Sequence, residues 1–203
     1  MMVTPKNIGV IILAAGASSR LGTPKQLLQY AGKTLLQQSL QVAVDSIARP
    51  VIVVLGADAD HIKKETDFSS ALAIVNADWE EGMASSIRSG INALLKIDPL
   101  AEGAVLMLCD QPYTTSALVN ELVAVHQNTG KAIVASSYSD TLGVPALFHK
   151  SIFPELLQLE DDLGAKGIIQ QHAKDTEVVA FSKGNVDIDT EADYQKLSKG
   201  TGD

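Results

Sequence analysis

The sequence predicts a three-layer α/β sandwich on a mainly parallel, Rossmann-like central sheet. Three observations carry this expectation. Short apolar runs without polar alternation recur at Ile8–Leu13, Val51–Leu55 and Ala104–Leu108, the pattern of strands covered on both faces. Between them lie segments whose apolar residues repeat at three- and four-residue spacing, as in helices that bury one stripe. Strands and helices alternating at this spacing give parallel strands joined by right-handed crossovers.

Taken in order, Ile8–Leu13 is the first strand. Leu35, Leu36, Leu40, Ala43 and Ile47 mark a helix, and Val51–Leu55 a second strand. Ala57–Thr66 reads as a short polar helix, Leu72–Val75 as a third strand, and Met83–Leu95 as a helix with Ile87, Ile91, Leu94 and Leu95 on one face. Ala104–Leu108 is a fourth buried strand, Leu118, Leu122 and Val125 a helix, and Ile133–Ala135 a strand. Past residue 140 the alternation loosens: strand Val144–Phe148, helix Phe153–Leu159, short helix Ile168–His172, strand Val178–Phe181 and closing helix Glu191–Leu197.

The 203 residues, 46% hydrophobic and 20% charged, are those of a globular protein with one well-buried core. A formal net charge of −8 excludes a general nucleic-acid binder, which needs a concentrated basic surface. A single cysteine, Cys109, gives neither a disulfide framework nor a thiolate metal site and suits a reducing compartment. The first apolar run is too short to span a bilayer and lacks signal-peptide flanks, so a cytoplasmic protein without a membrane partner is expected.

Open α/β sheets bind ligands outside the carboxyl ends of their strands, which directs attention to Ala14–Lys25, Asn76–Ser86, Asp110–Pro112 and Asp187–Asp189. In the first of these, small residues from Leu13, Ala14, Ala15 and Gly16 onward let backbone amides approach phosphate oxygens, and Arg20 and Lys25 add positive charge. Two familiar loops fail on spacing. Thr23-Pro24 separates Gly22 from Lys25, against a P-loop, and no glycine stands two residues after Gly16, against a dinucleotide fingerprint. An exposed loop with two solvated cations is the alternative reading.

Asp110 ends a buried run, and Pro112 stiffens the exit. A carboxylate at that edge suits an oxygen ligand for Mg²⁺; its other reading is a turn or helix cap, although Thr114 or Thr115 can cap the next helix instead. Asp187 and Asp189 alternate with Val186 and Ile188 and so share one face of an extended segment. Either would supply a second metal ligand, while Thr190–Asp193 reads as a capping box that Asp189 would join. Ser85 and Ser86, at the start of a helix after Gly82, have two readings, a contact to a pyrimidine edge or a plain N-cap. Asn76 and Asp78 are weaker candidates for ribose or base contacts, and Arg88 is either a phosphate ligand or a solvated helix residue. The four histidines show no ligand spacing and read as surface residues; His149 alone follows a strand on the side expected to take a second substrate.

Together these segments resemble a known family. Leu13-Ala14-Ala15-Gly16 with Ser18, Arg20, Gly22 and Lys25 is similar to the signature loop of nucleotidyltransferases that make sugar nucleotides and molybdenum-cofactor dinucleotides. With Gly82–Arg88, Leu108–Pro112, Gly143–Ala146 and Asp187–Thr190 in the same order, the chain resembles molybdenum cofactor cytidylyltransferases, relatives of molybdopterin-guanine dinucleotide synthases. The resemblance implies one nucleotidyltransferase domain over 1–203, with about 1–140 binding nucleotide and about 141–198 serving the acceptor. It implies an enzyme that transfers CMP from CTP (or another NTP) to the terminal phosphate of molybdopterin, with Mg²⁺ (or Mn²⁺) as cofactor. Lys25, Asp110 and Arg20 would be catalytic. Leu13, Ala14, Ala15, Gly16, Asn76, Ser85 and Ser86 would bind nucleotide, and Asp110, Asp187 and Asp189 the metal. Gly143, Pro145 and Lys166 would face the acceptor, although Leu163 and Lys166 depart from the family form. A molybdoenzyme or its maturation chaperone would be a transient partner. Alternatives are a sugar or polyol phosphate acceptor, a non-catalytic nucleotide-binding chaperone, or a redox protein on the same scaffold.

Overall fold

The computed structural model describes residues 7–18, 21–160 and 164–199. The chain opens with β1 (Ile8–Ala14), a 3₁₀ turn (Lys25–Leu27), the two-residue strands β2 (Gln29–Tyr30) and β3 (Lys33–Thr34), and α1 (Leu35–Asp45). β4 (Val51–Leu55), α2 (Ala59–Glu65), β5 (Leu72–Val75), α3 (Met83–Ile97), β6 (Gly103–Leu108) and α4 (Ser116–Thr129) follow. The second part contains β7 (Ile133–Tyr138), β8 (Thr141–His149), α5 (Phe153–Leu157), α6 (Ala165–Gln171), β9 (Thr176–Ala180) and α7 (Glu191–Lys199).

Seven strands form one mixed, mainly parallel sheet in the order β5-β4-β1-β6-β8-β7-β9. β8 alone runs antiparallel to its neighbours β6 and β7. The sequence led us to expect a strand here, but not its reversal. The turn at Ser139 and Asp140, both with positive φ, joins β7 directly to β8, and so short a link permits only an antiparallel pair. The reversal carries His149 to the far edge, where it pairs with Gly103 at the start of β6. His149 therefore stands at the edge opposite the carboxyl ends of the parallel strands, and not where its place in the sequence suggested. It stacks on His126 and caps the turn at Lys150 by accepting from the Ser151 amide.

Two cores lie on opposite faces of the sheet, as strand alternation requires. Val10, Ile12 and Ala14 of β1 point to Leu36, Leu40, Ile62, Val119 and Leu122 from α1, α2 and α4. Ile11 and Leu13 point to Ile87, Ile91, Leu94, Leu156 and Ile169 from α3, α5 and α6. α3 approaches closely because Gly90 lacks a side chain; a Cβ there would lie 2.5 Å from Ile11 Cγ2. A smaller cluster of Leu28, Leu35, Ile188 and Leu197 fastens the last helix beside the small β2–β3 hairpin.

α1 begins with a complete capping box between Thr34 and Gln37 and stops at Asp45. Ile47 therefore leaves the helical face where its spacing placed it and is 63% exposed. The β2–β3 hairpin escaped the sequence reading. Its turn, Ala31-Gly32, has positive φ at both residues, the turn chemistry that joins two strands in two residues. Among the described residues, no helix is long and apolar enough to cross a membrane.

Candidate functional site

The chain runs from β1 to β4 and β5 on one side, then returns to place β6 on the other side of β1. The strand order thus reverses between β1 and β6, and a crevice opens at their carboxyl ends. Across it the loop after Ala14 faces Asp110, which stands two residues past the end of β6.

Lys25 joins the two sides. Its ammonium donates to Asp110 Oδ2 and, at 3.1 Å, to Asp189 Oδ1. Burial works against the charge on Lys25, but the neighbouring anions, Asp110 foremost, prevail and raise its pKa above the ordinary lysine range. The extended segment carrying Asp187 and Asp189 is pinned beneath Asp110 by the Ile188 amide, which donates 3.2 Å to the Asp110 carbonyl. Ile188 itself is fully buried, so the alternation anticipated from the sequence holds: the apolar residue turns inward between the two acids.

Asp187 is held protonated to unusually high pH, its pKa raised to about 6 by burial of the carboxyl and then by Asp110 and Asp189; Gln111 and Lys25 oppose the shift. Lost solvation, reinforced by Asp110, pushes the Cys109 thiol up to about 12, so it is neutral and inert at physiological pH. Thr115 caps α4 by accepting from the Leu118 amide, which leaves Asp110 free of capping duty. Thr190 and Asp193 form the reciprocal capping box at α7, the Thr190 amide donating to the Asp193 carboxylate and the Asp193 amide to the Thr190 hydroxyl.

Asp110 is 8% exposed, and its second oxygen, Oδ1, is buried with no hydrogen-bond partner among the described residues. An unpartnered carboxylate oxygen beside two further acids is a hard, anionic donor set that fits a divalent cation. Among the described residues no group of three or more acids, histidines or cysteines is arranged as a metal cage, and Lys25 stands between Asp110 and Asp189. Asp110 and its neighbours Asp187 and Asp189 are the residues that would hold the ion.

Asn76 immediately follows β5, and Ser85 and Ser86 occupy the first turn of α3. The three are buried together: the Asn76 amide donates to Ser85 Oγ at 2.7 Å and to Ser86 Oγ at 3.1 Å. Gly82, not a serine, takes the N-cap position, and Ser85 donates back to the Gly82 carbonyl. Arg88 pairs with Glu81 at 2.7 Å and donates to the Leu159 carbonyl. Gly143 and Pro145 lie in β8; Gly143 is beside Tyr138 at the site edge, and Lys166 is exposed in the first turn of α6. Gly164 packs against Met83, which brings the α6 turn next to the start of α3. Arg20 and Leu163 lie outside the described residues.

Two groups at this edge, Gln26 and Tyr138, were missed in the sequence, and Gln111, inside the Asp110–Pro112 stretch it singled out, had been given no role of its own. Gln26 is fully buried under the first loop and donates to the carbonyls of Ala14 and Gly16. Gln111, 3% exposed, donates to the Gly184 carbonyl and lies beside Asp187 and Tyr138. The Tyr138 side chain fills space that Gly143 and Gly184 leave open: a Cβ on Gly143 would lie 2.2 Å from its hydroxyl and one on Gly184 2.3 Å from its ring. Tyr138, Gly143 and Gly184 are not neighbours in the sequence, which therefore carried no signal for this contact.

Residues 10–176 match the family described as the MobA-like NTP transferase domain. The chain is 29% identical to the purine catabolism protein PucB of Bacillus subtilis over 210 residues, 98% of each chain. It is also 29% identical to nicotine blue oxidoreductase of Paenarthrobacter nicotinovorans over 168 residues, 79% of this chain and 80% of that one. The crystal structure of Rv0371c from Mycobacterium tuberculosis superposes with a TM-score of 0.85 at 33% identity, covering 97% of this chain and all of that one. A complex of Rv0371c with manganese superposes at 0.80, with 29% identity over 96% of this chain and 99% of that one. With most of its length matched, the chain belongs to the MobA-like NTP transferases, enzymes of the nucleotidyltransferase superfamily.

Proposed function

We propose that the protein transfers CMP from CTP to the terminal phosphate of a molybdopterin-type acceptor and releases pyrophosphate. The reading rests above all on the unpartnered Asp110 oxygen in the crevice, faced by Lys25 and the glycine-containing loop. In this reading the amides after β1 and the Lys25 ammonium bind the triphosphate, with Arg20 adding charge. Asn76, Ser85 and Ser86 form the base side, and Ala14-Ala15 favours cytosine. Asp110, Asp187 and Asp189 hold Mg²⁺ or Mn²⁺, which when bound neutralises phosphate charge as a Lewis acid. The manganese complex of a relative at 29% identity supports a divalent ion here.

Residues beyond about 140 would serve the acceptor, with Gly143 and Pro145 at the edge and Lys166 available to its phosphate. A phosphate nucleophile is already ionised at neutral pH, so the chain needs no general base. Its work is to align the acceptor with the α-phosphorus and to offset charge as pyrophosphate leaves. Lys25 suits the second task because the neighbouring carboxylates keep it cationic.

The similarity to nicotine blue oxidoreductase over four fifths of both chains favours a second reading, redox chemistry on the same scaffold. Pyrophosphate release with CTP, GTP and ATP, each with and without molybdopterin, separates the two. CTP- and pterin-dependent release supports the proposal. Release with a sugar or polyol phosphate instead changes the acceptor, nucleotide binding without release points to a chaperone, and flavin or nicotinamide absorbance in the purified protein favours redox chemistry.

A further inference from the structure

Gln26 is fully buried, yet its amide spends both hydrogens on one loop: Nε2 donates to the Ala14 carbonyl at 2.7 Å and to the Gly16 carbonyl at 3.0 Å. Ser18, in the left-handed region with φ of 53°, turns its hydroxyl back toward Gln26 Oε1 at 3.5 Å and accepts from the Lys25 amide at 2.9 Å. These contacts tie the loop to the residue that follows Lys25. In a planar trans peptide the carbonyl and the next N–H point in opposite directions. With the Ala14 and Gly16 carbonyls drawn down onto Gln26, the amides of Ala15 and Ala17 point away from the core, where Gly16 and Ala17 are exposed.

We infer that Gln26 is a positioning residue that sets the direction of the phosphate-facing amides in the first loop and thereby the affinity for triphosphate. The inference rests on the proposed nucleotide site. Glutamate at position 26 would keep the size but remove both donors and set an oxygen against two carbonyls. Methionine would keep the volume without any polar atom.

The test is equilibrium binding of Mg·CTP and of cytidine to wild type, Gln26→Glu, Gln26→Met and Thr34→Ala, beside thermal melting of each. Loss of the two hydrogen bonds weakens Mg·CTP binding by about tenfold or more in both Gln26 variants, while cytidine, which has no phosphate, changes by less than about threefold. Thr34→Ala, which removes the α1 cap, lowers the melting temperature and leaves Mg·CTP affinity unchanged. Gln26 variants that bind Mg·CTP like wild type, or lose CTP and cytidine in equal proportion, overturn the inference. A wild-type protein that binds none of CTP, GTP and ATP overturns the nucleotide reading itself, and the role of Gln26 with it.

Discussion

Lys25 occupies the place between Asp110 and Asp189 that a divalent cation would contest. Replacing it with methionine keeps the apolar stem and removes the charge. The Lys25 and Asp110 side chains are 16% and 11% exposed, so this is a largely desolvated pair, whereas Asp189 at 45% is screened by water. Breaking a buried pair by removing one partner costs about 3–5 kcal/mol, and the half-exposed second contact argues for the lower end. At about 2–4 °C per kcal/mol for a chain of this length, Lys25→Met should melt roughly 6–12 °C below wild type in EDTA. Manganese should then restore more to the variant than it adds to wild type, because the ion no longer competes with an ammonium for the same oxygens. Saturation to a hundred times the dissociation constant is worth about 2.7 kcal/mol, well within reach of differential scanning fluorimetry. Equal melting temperatures in EDTA, or equal manganese shifts in both proteins, would refute the idea that Lys25 and metal share these carboxylates.

Other outcomes follow from the same geometry. Asp110→Ala should cut turnover by about a hundredfold or more while changing nucleotide affinity far less, as steady-state kinetics beside equilibrium binding would show. Asp187 has a folded-state pKa raised to about 6 from 3.8, so the folded chain keeps this proton longer than the unfolded one. Its contribution to stability is therefore present at acid pH and is lost as pH rises from about 4 to about 6; urea denaturation across that window should decline in wild type and flatten in Asp187→Asn. Gly143→Ala should cost about 1–3 kcal/mol, since the new Cβ would lie 2.2 Å from the Tyr138 hydroxyl, and adding Tyr138→Phe should recover part of it. A double variant no better than Gly143→Ala alone would show that the tyrosine hydroxyl is not what the glycine accommodates.

The parallel half of the fold was legible because buried strands and one-faced helices leave opposite periodicities in the chain. Val10, Ile12 and Ala14 serve one core and Ile11 and Leu13 the other, so the whole run is apolar, and that is what a strand covered on both faces looks like. Direction leaves no such trace: β8 reads the same forwards or backwards, and its reversal moved His149 to the opposite edge from the crevice. Ile47 kept helical spacing past the end of α1, a boundary set by backbone geometry at Ser46 and not by hydrophobicity.

At the site, Asp110, Asp187 and Asp189 were visible because carboxylates at strand ends are conspicuous. The pairing of Lys25 with two of them was not, for the partners stand 85 and 164 positions away in sequence. Gln26 and the role of Gln111 were invisible for a different reason. A glutamine beside charged or loop residues looks solvated until the fold shows it buried, with its amide spent on carbonyls.

The central claim is that a triphosphate lies along the loop from Ala14 to Lys25 with its divalent cation on Asp110. A crystal grown with manganese and CTP, measured at the manganese absorption edge, tests this most directly. The account predicts one anomalous peak against Asp110 Oδ1, with the phosphates running from it across the Ala15 and Ala17 amides. Manganese bound away from Asp110, or nucleotide density on another face of the sheet, would contradict it.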